Sequence, residues 1–452
     1  MNGEGHERAE AAAMIGELDR APLTRLHLFI LVACALGFSF DLAEIAFGGV
    51  LSALFSAPPH PVDPSLLGWL LAAVYIGAIV GAPVLGWLAD RFGRRPVMLG
   101  ALLILTATSI GVAFSPNIPT LIVFRGLSGV ALGAYPPLMI AFMTDIFPPA
   151  RRGALVFAAV AIGYLGPPGI IFFVRWIGTA TPLGLEAWRW AFVVATIGAA
   201  ICTLMFAAVP ESPRWLIGRG RLAEARRSLD RLRASPAVRT AAPPPDTADA
   251  ELESGPMSAA SFTRRVAYLV IAYFLTPWAT VGFTVLSGAV LVQKGINPQD
   301  SVLYVGVSTF GPLVGTLLAG TIVDRLPRRS ALIGLAALMI VVGLAFGVVT
   351  DPLSLMASGL VFNLLVNLFT PVIVLYAAEL FTTGRRAQGT SWGWAANRVG
   401  AALVPLALLP LLKAQGPLVM FVVIAGTLLA FIALVATLGR RVGAEAKGTG
   451  PG

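Results

Sequence analysis

The sequence predicts an all-α membrane protein of twelve transmembrane helices arranged as two pseudo-symmetric six-helix bundles. Three observations carry that prediction. Of 452 residues, 57% are hydrophobic and 12% charged, with a mean hydropathy of +0.83, about half the charge of an ordinary soluble chain. Twelve apolar stretches recur, each of about 20 residues or more, enough at about 1.5 Å per residue to cross a hydrocarbon core of roughly 30 Å. Finally, Gly86-Trp-Leu-Ala-Asp90-Arg91-Phe-Gly93-Arg94-Arg95 returns as Gly320-Thr-Ile-Val-Asp324-Arg325-Leu-Pro-Arg328-Arg329, at an offset of 234 residues (324 less 90). Asp145-Ile-Phe-Pro-Pro-Ala-Arg151-Arg152 returns as Glu379-Leu-Phe-Thr-Thr-Gly-Arg385-Arg386 at the same offset (379 less 145).

Taken in order, the mixed-charge stretch 1–25 reads as a cytoplasmic tail, because the apolar run after it is too long for a cleavable signal. The spans fall near 26–55, 65–88, 96–115, 118–142, 152–177 and 187–209, then 264–293, 301–323, 331–350, 354–378, 387–412 and 416–438. They form bundles over 26–209 and 264–438, joined by a polar connection, 210–263, and followed by a tail, 439–452. Helices are expected because a bilayer offers no partner for open backbone groups and nothing here alternates as barrel strands do. Gly126, Gly129 and Gly133 share a face of the fourth span and allow close helix approach. Gly163, Gly166, Pro167, Pro168 and Gly169 are expected to bend or break the fifth. In the connection, Leu222, Ala225, Leu229 and Leu232 recur at helical spacing with Arg221, Arg226, Arg227, Arg231 and Arg233 on the other faces. Two readings are open for this surface helix, one lying on a bilayer and one merely solvated. The Pro-rich stretch 235–258 reads as a flexible linker.

Arginines concentrate in the even-numbered connections, and such residues resist translocation. Both termini are therefore expected in the cytoplasm of a multi-pass protein of the cell (inner) membrane. The opposite loops hold little charge beyond Asp63, Arg175, Glu186, Lys294, Asp351 and Lys413. The net charge of +9 is spread over the basic loops, where anionic head groups attract it, so no nucleic-acid partner is implied. Cys34 and Cys202 fall within spans, which argues against a disulfide framework or a metal site. No Gly-rich ATP loop with its Lys and no clustered nucleophile or His group is present, so neither a cofactor nor an enzyme is expected.

Four ionisable residues lie deep within spans: Asp41, Glu44, Arg125 and Arg398. Each costs roughly 2.5–3.5 kcal/mol at mid-membrane on insertion scales, so a function is implied. Asp41 and Glu44 are three apart and share a helix face. An acid beside an Arg can be switched between protonation states by rearrangement. Asp41, assisted by Glu44, is expected to carry a proton while Arg125 pairs with it when the proton leaves. A static ion pair between the first and fourth spans is the open alternative. Arg398 is placed to clamp a carboxylate through two parallel hydrogen bonds, or else is held by backbone carbonyls or Glu44. Asn397, Asn363 and Asn367 are candidates for orienting the rest of a ligand, and Tyr164 and Trp278 for stacking on a planar one. The offset maps Asp41 to Leu275, Glu44 to Trp278, Arg125 to Gly359 and Arg398 back to Tyr164. These charges are therefore unduplicated. The repeated motifs are read instead as a gate, built from Gly86, Asp90, Arg91, Gly93, Arg94, Asp145 and Arg151 in one half and Asp324, Arg328, Glu379 and Arg385 in the other. A purely topological role for the arginines is compatible with that reading.

Gly86 to Arg95 resembles the loop motif between the second and third helices of the major facilitator superfamily. Pro210-Glu211-Ser212-Pro213-Arg214-Trp215-Leu216 is similar to a signature of its sugar porters, organic-ion transporters and aromatic-acid:proton symporters, and Arg125-Gly-Leu-Ser-Gly129 to their fourth-helix motif. Asp41-Leu-Ala-Glu44 and Arg398-Val-Gly400 resemble patterns of aromatic-acid symporters and organic-anion carriers, whereas the Gln-rich seventh helix of hexose porters is absent. The resemblance implies a secondary transporter, acting as a monomer, that moves a small organic carboxylate with protons by alternating access. The rivals are an efflux antiporter, suggested by Gly163-Tyr-Leu-Gly166-Pro167, a carrier of an organic cation, a sugar or another neutral metabolite, and a non-transporting receptor.

Overall fold

In the computed structural model, residues 2–59, 61–238 and 258–446 are described. Twelve helices or helix pairs are long and apolar enough to cross a membrane: Arg25–Leu54, Pro64–Phe92, Arg94–Ala113, Ile118–Ile146, Pro149–Ile177, Ala187–Ala208, Ala259–Gln293, Pro298–Ile322, Arg328–Val348, Pro352–Glu379, Gln388–Gln415 and Pro417–Gly439. Local chemistry sets many of the ends. Asp63, Asn117, Asn297 and Asp351 each accept a backbone N–H two or three residues on, at 2.8–2.9 Å, with a Pro at the first or second helical position.

The fifth span breaks at Tyr164–Leu165, into Pro149–Gly163 and Gly166–Ile177, where the Gly and Pro residues predicted a break. The fourth breaks too, between Leu132 and Tyr135, and the eighth at Thr309. In the fourth, Pro136 and Pro137 supply no N–H to the preceding turn, which ends that helix and starts the next. The second and fourth spans cross closely: a Cβ on Gly77 would lie 1.9 Å from the Gly126 carbonyl oxygen, and one on Gly129 2.1 Å from that of Val74.

The helix that precedes the first span, the connection between the bundles and the repeated Arg motifs lie on one side, here the basic face. One apolar core runs through the second bundle and continues into Phe47, Val50, Leu51, Leu67 and Leu71 of the first, toward the opposite face. A separate core fills the basic-face half of the first bundle and takes in Met14, Leu18, Leu229 and Leu232. The bundles therefore share a core on the face opposite the basic one and keep separate ones near the basic face.

The first tail contains a helix, Asn2–Asp19, that docks on the connection. Glu17 pairs with Arg226 at 3.0 Å and with Arg233, and Asp19 with Arg214. The amphipathic helix Leu222–Ala234 buries Ala225, Leu229 and Leu232 in the core containing Met14 and Leu18. Its apolar face thus packs on protein, which corrects both readings of it as a bilayer-bound or merely solvated helix. Within the linker expected at 235–258, residues 239–257 lie outside the described residues, as do 447–452 of the second tail.

Candidate functional site

Arg125, on the fourth span, donates Nη1–H to Glu44 Oε1 at 2.6 Å and to the Glu44 carbonyl at 3.3 Å, and Ser128 Oγ reaches the same carboxylate at 3.3 Å. Both side chains are buried, and the guanidinium also lies over the Phe192 ring at 5.8 Å. The expected pairing of Arg125 with Asp41 is not the one formed. Residues three apart on a helix differ by about 60° in direction and about 4.5 Å in height, so Arg125 meets only the acid at its own level.

Asp41 stands apart. It is 1% exposed and neither carboxyl oxygen has a hydrogen-bond partner among the described residues. A void of about 10 Å³ adjoins it, lined by Gly37, Leu105, Leu132 and Tyr135, a volume near the minimum for one water. The charges facing it are those of Arg398 and Glu44, and Tyr164 lies within its field.

Arg398, half-buried on the eleventh span, makes no hydrogen bond or ion pair among the described residues. The groups in its field are Asp41 and Tyr75, so neither Glu44 nor a backbone carbonyl holds it here. Tyr75, buried on the second span, lies in the field of both Arg398 and Arg125. The asparagines are engaged by neighbouring helix groups. Asn397 donates to Thr276 Oγ1 at 3.1 Å, Asn363 accepts from Thr284 Oγ1 at 3.2 Å, and Asn367 donates to the Asn363 carbonyl at 3.1 Å. Tyr164 sits at the break of the fifth span, edge-on to Phe38 at 6.5 Å. Half-buried Trp278 has an indole N–H without a partner among the described residues.

The repeated motifs fasten each bundle to itself. Arg94 reaches Asp90 at 3.3 Å and Asp145 at 3.5 Å, and Arg328 reaches Glu379 at 3.2 Å. Arg91 lies over Trp87 and Phe92, and Arg385 over Phe262 at 5.1 Å. Arg151 lies in the first turn of the fifth span. A Cβ on Gly86 would meet nothing within 4 Å. Gly93 combines a φ of 114° with a position where a Cβ would lie 2.1 Å from Glu211 Oε2, so only glycine fits. The side chain of Asp324 lies outside the described residues.

Sequence reasoning missed the partners of this motif in the connection. Glu211 accepts the Arg95 N–H at 3.2 Å, Ser212 Oγ donates to Asp145 at 3.0 Å, and the indole N–H of Trp215 donates to the Asp90 carbonyl at 3.0 Å. Burial pushes the Glu211 carboxyl above the usual carboxylate range, against the pull of the Ser212 and Arg95 N–H groups. The signal was present in the Pro210 to Leu216 signature, without any indication of what it touches. Also missed was the role of Arg95 and its repeat Arg329. Arg95 caps the sixth span through the Phe206 and Ala207 carbonyls at 3.2 and 2.6 Å, and Arg329 reaches the Val435 and Ala436 carbonyls, inside the twelfth-span helix Pro417–Ala446, at 3.0 and 2.7 Å.

On the opposite face the bundles are joined. Ser52 Oγ accepts the Ala289 N–H at 3.1 Å, Lys413 donates to the Ser56 carbonyl at 3.3 Å, and Arg175 pairs with Asp300 at 3.6 Å.

The sugar (and other) transporter family matches residues 29–438. The chain belongs to that family. It is 25% identical over 435 residues to the niacin transporter NiaP of Acinetobacter baylyi, covering 94% of this chain and 97% of that one. It is 28% identical over 382 residues to the 3-(3-hydroxy-phenyl)propionate transporter of Escherichia coli, covering 84% and 85%. The solved xylose transporter XylE of E. coli, a proton:xylose symporter, superposes with a TM-score of 0.67 at 20% identity, over 91% of this chain and 98% of that one. The fold is thus that of the major facilitator superfamily, and the chain is a multi-pass membrane protein.

Proposed function

We propose that this transporter-family chain carries a small organic carboxylate together with protons by alternating access, with its basic face in the cytoplasm. The observation that carries the reading is Arg398: a half-buried guanidinium at mid-membrane without a hydrogen bond or ion pair among the described residues. Placing such a charge there is costly unless a ligand or counter-charge meets it, and a planar fork of donors matches a carboxylate. The names of two relatives, one for niacin and one for an aromatic propionate, support the same class. Asp41 supplies the proton site. An unpartnered buried carboxylate is disfavoured, so the neutral acid suits the arrangement seen, and approach of Arg398 favours the charged form. Glu44 and Arg125 hold the first span to the fourth beside it, while Tyr75, Asn363, Asn367, Asn397, Tyr164 and Trp278 shape the surrounding wall.

The test is counterflow of labelled carboxylates, sugars and cations in proteoliposomes, with and without a pH gradient. Each charge-assisted hydrogen bond contributes about 1.5–3 kcal/mol, so Arg398→Lys should weaken carboxylate affinity roughly 10- to 150-fold. Unchanged affinity sinks the reading. A sugar remains the second reading, favoured by the Thr280, Thr284, Asn363 and Asn367 strip and by the family match. Counterflow of sugars that is indifferent to Arg398 would select it.

A further inference from the structure

A cavity of about 520 Å³ lies between the first, fifth and sixth spans. Its floor is one face of the first span, Phe40, Ala43 and Phe47, and its walls include Leu165 and Gly169 of the fifth and Val194 of the sixth. Ser39 and Glu44 are its polar members, and the Glu44 carboxylate is turned inward to Arg125. The rim is open at membrane depth: Leu165 is 51% exposed and Ile162 40%. Along the first span the cavity extends from Leu36 to Phe47, about 16 Å at the helical rise and so about half of a roughly 30 Å hydrocarbon core. The groove straddles the middle of the first span, Arg25–Leu54, and lies toward the face opposite the basic one along the fifth and sixth, where residues within 162–173 and 191–195 line it. It ends near Trp188 and Arg189, with Trp176 81% exposed at the same level, residues of the kind found at a bilayer interface.

We propose that this groove is a site for one acyl chain of a phospholipid in the leaflet opposite the basic face. The length matches one leaflet, the lining is apolar, and the groove is continuous with the lipid-facing surface. Seated there, the chain fills the gap between the fifth and sixth spans and keeps water from the Glu44–Arg125 pair on its bilayer side.

Gly169 provides the probe, because a Cβ at that position meets nothing within 4 Å. The full-length protein is reconstituted in phosphatidylcholine vesicles doped with a phosphatidylcholine bearing a mid-chain diazirine, irradiated, and its cross-links mapped by mass spectrometry. Labelling is expected to concentrate on residues 162–173 and 191–195, at least five-fold above the lipid-facing ninth span around Leu338 and Val341. Gly169→Phe, or Ala195→Phe if that variant folds poorly, should cut the groove labelling at least five-fold. Gly426→Phe, in open space on the twelfth span, should leave it unchanged. Labelling equal to that of the ninth span, or indifferent to both groove variants, overturns the proposal. Chase of the label by saturating benzoate also overturns it, by making the groove part of the transport path.

Discussion

A single methyl group at Gly288 should hold the bundles apart on the face opposite the basic one. In the structure a Cβ on Gly288 would lie 2.0 Å from the Gly49 carbonyl oxygen and 2.9 Å from both Ala53 Cβ and Ser52 Oγ. Contacts below 3.0 Å are essentially never seen, so the first and seventh spans must separate by at least 1.0 Å (3.0 less 2.0). Overpacking of this kind costs about 1–3 kcal/mol, which is roughly a 5- to 150-fold shift of a two-state equilibrium. The strain exists only while this face is closed, so Gly288→Ala favours its opening. Val305 is 3% exposed and packs beside Gly49, and a cysteine there reports opening. With buried Cys34 and Cys202 replaced by Ser, labelling of Val305→Cys by an impermeant maleimide from that face should accelerate about 5- to 150-fold. Gly426→Ala, whose Cβ meets nothing within 4 Å, is the control. An unchanged rate in Gly288→Ala would refute the reasoning.

Three further outcomes are expected. Asp41→Asn should abolish the dependence of uptake on a pH gradient while leaving counterflow measurable; gradient-driven uptake that survives the change contradicts the proton assignment. Arg125→Leu leaves Glu44 buried and unpaired, which costs about 3–5 kcal/mol, so a large fall in Tm is expected, and Glu44→Leu in the same chain should restore most of it. Because burial raises the Glu211 carboxyl, the docked connection binds the proton more readily than a released one. Docking should therefore be strongest below the ordinary carboxylate range and weaken as pH rises through the raised value. Proteolysis within 210–238 should follow that course, and Glu211→Gln should flatten it.

The spans were legible because hydrocarbon imposes one rule on every residue inside it, and a charge there is conspicuous. The break at Gly163 to Gly169 was readable for a similar reason, since Gly and Pro act locally. Partner choice was not. Asp41 and Glu44 differ by one helical step, and which of them Arg125 meets depends on the relative height of two helices that are 81 residues apart in sequence. The helix Leu222–Ala234 had a visible apolar face, but its partners, Met14 and Leu18, sit in a stretch whose mixed charge reads as a tail. The arginines of the repeated motif advertised topology, and nothing local showed that Arg95 and Arg329 would reach carbonyls more than 100 residues away.

Those two arginines have a wider consequence. Arg95 ties the beginning of the first bundle's third span to the end of its sixth, and Arg329 ties the beginning of the second bundle's third span to the body of its sixth, so each bundle carries its own hoop. A body hooped in this way can rock against its neighbour without exchanging any of its internal bonds. Reorientation then requires only that the seams between the two bodies be remade: on the face now closed these are the shared apolar core and, among the described residues, contacts that include a glycine crossing, the Ser52 hydroxyl, the Lys413 ammonium and the Arg175–Asp300 ion pair. Duplication of the motif thus amounts to duplication of rigidity, leaving the unrepeated residues free to differ in what they bind.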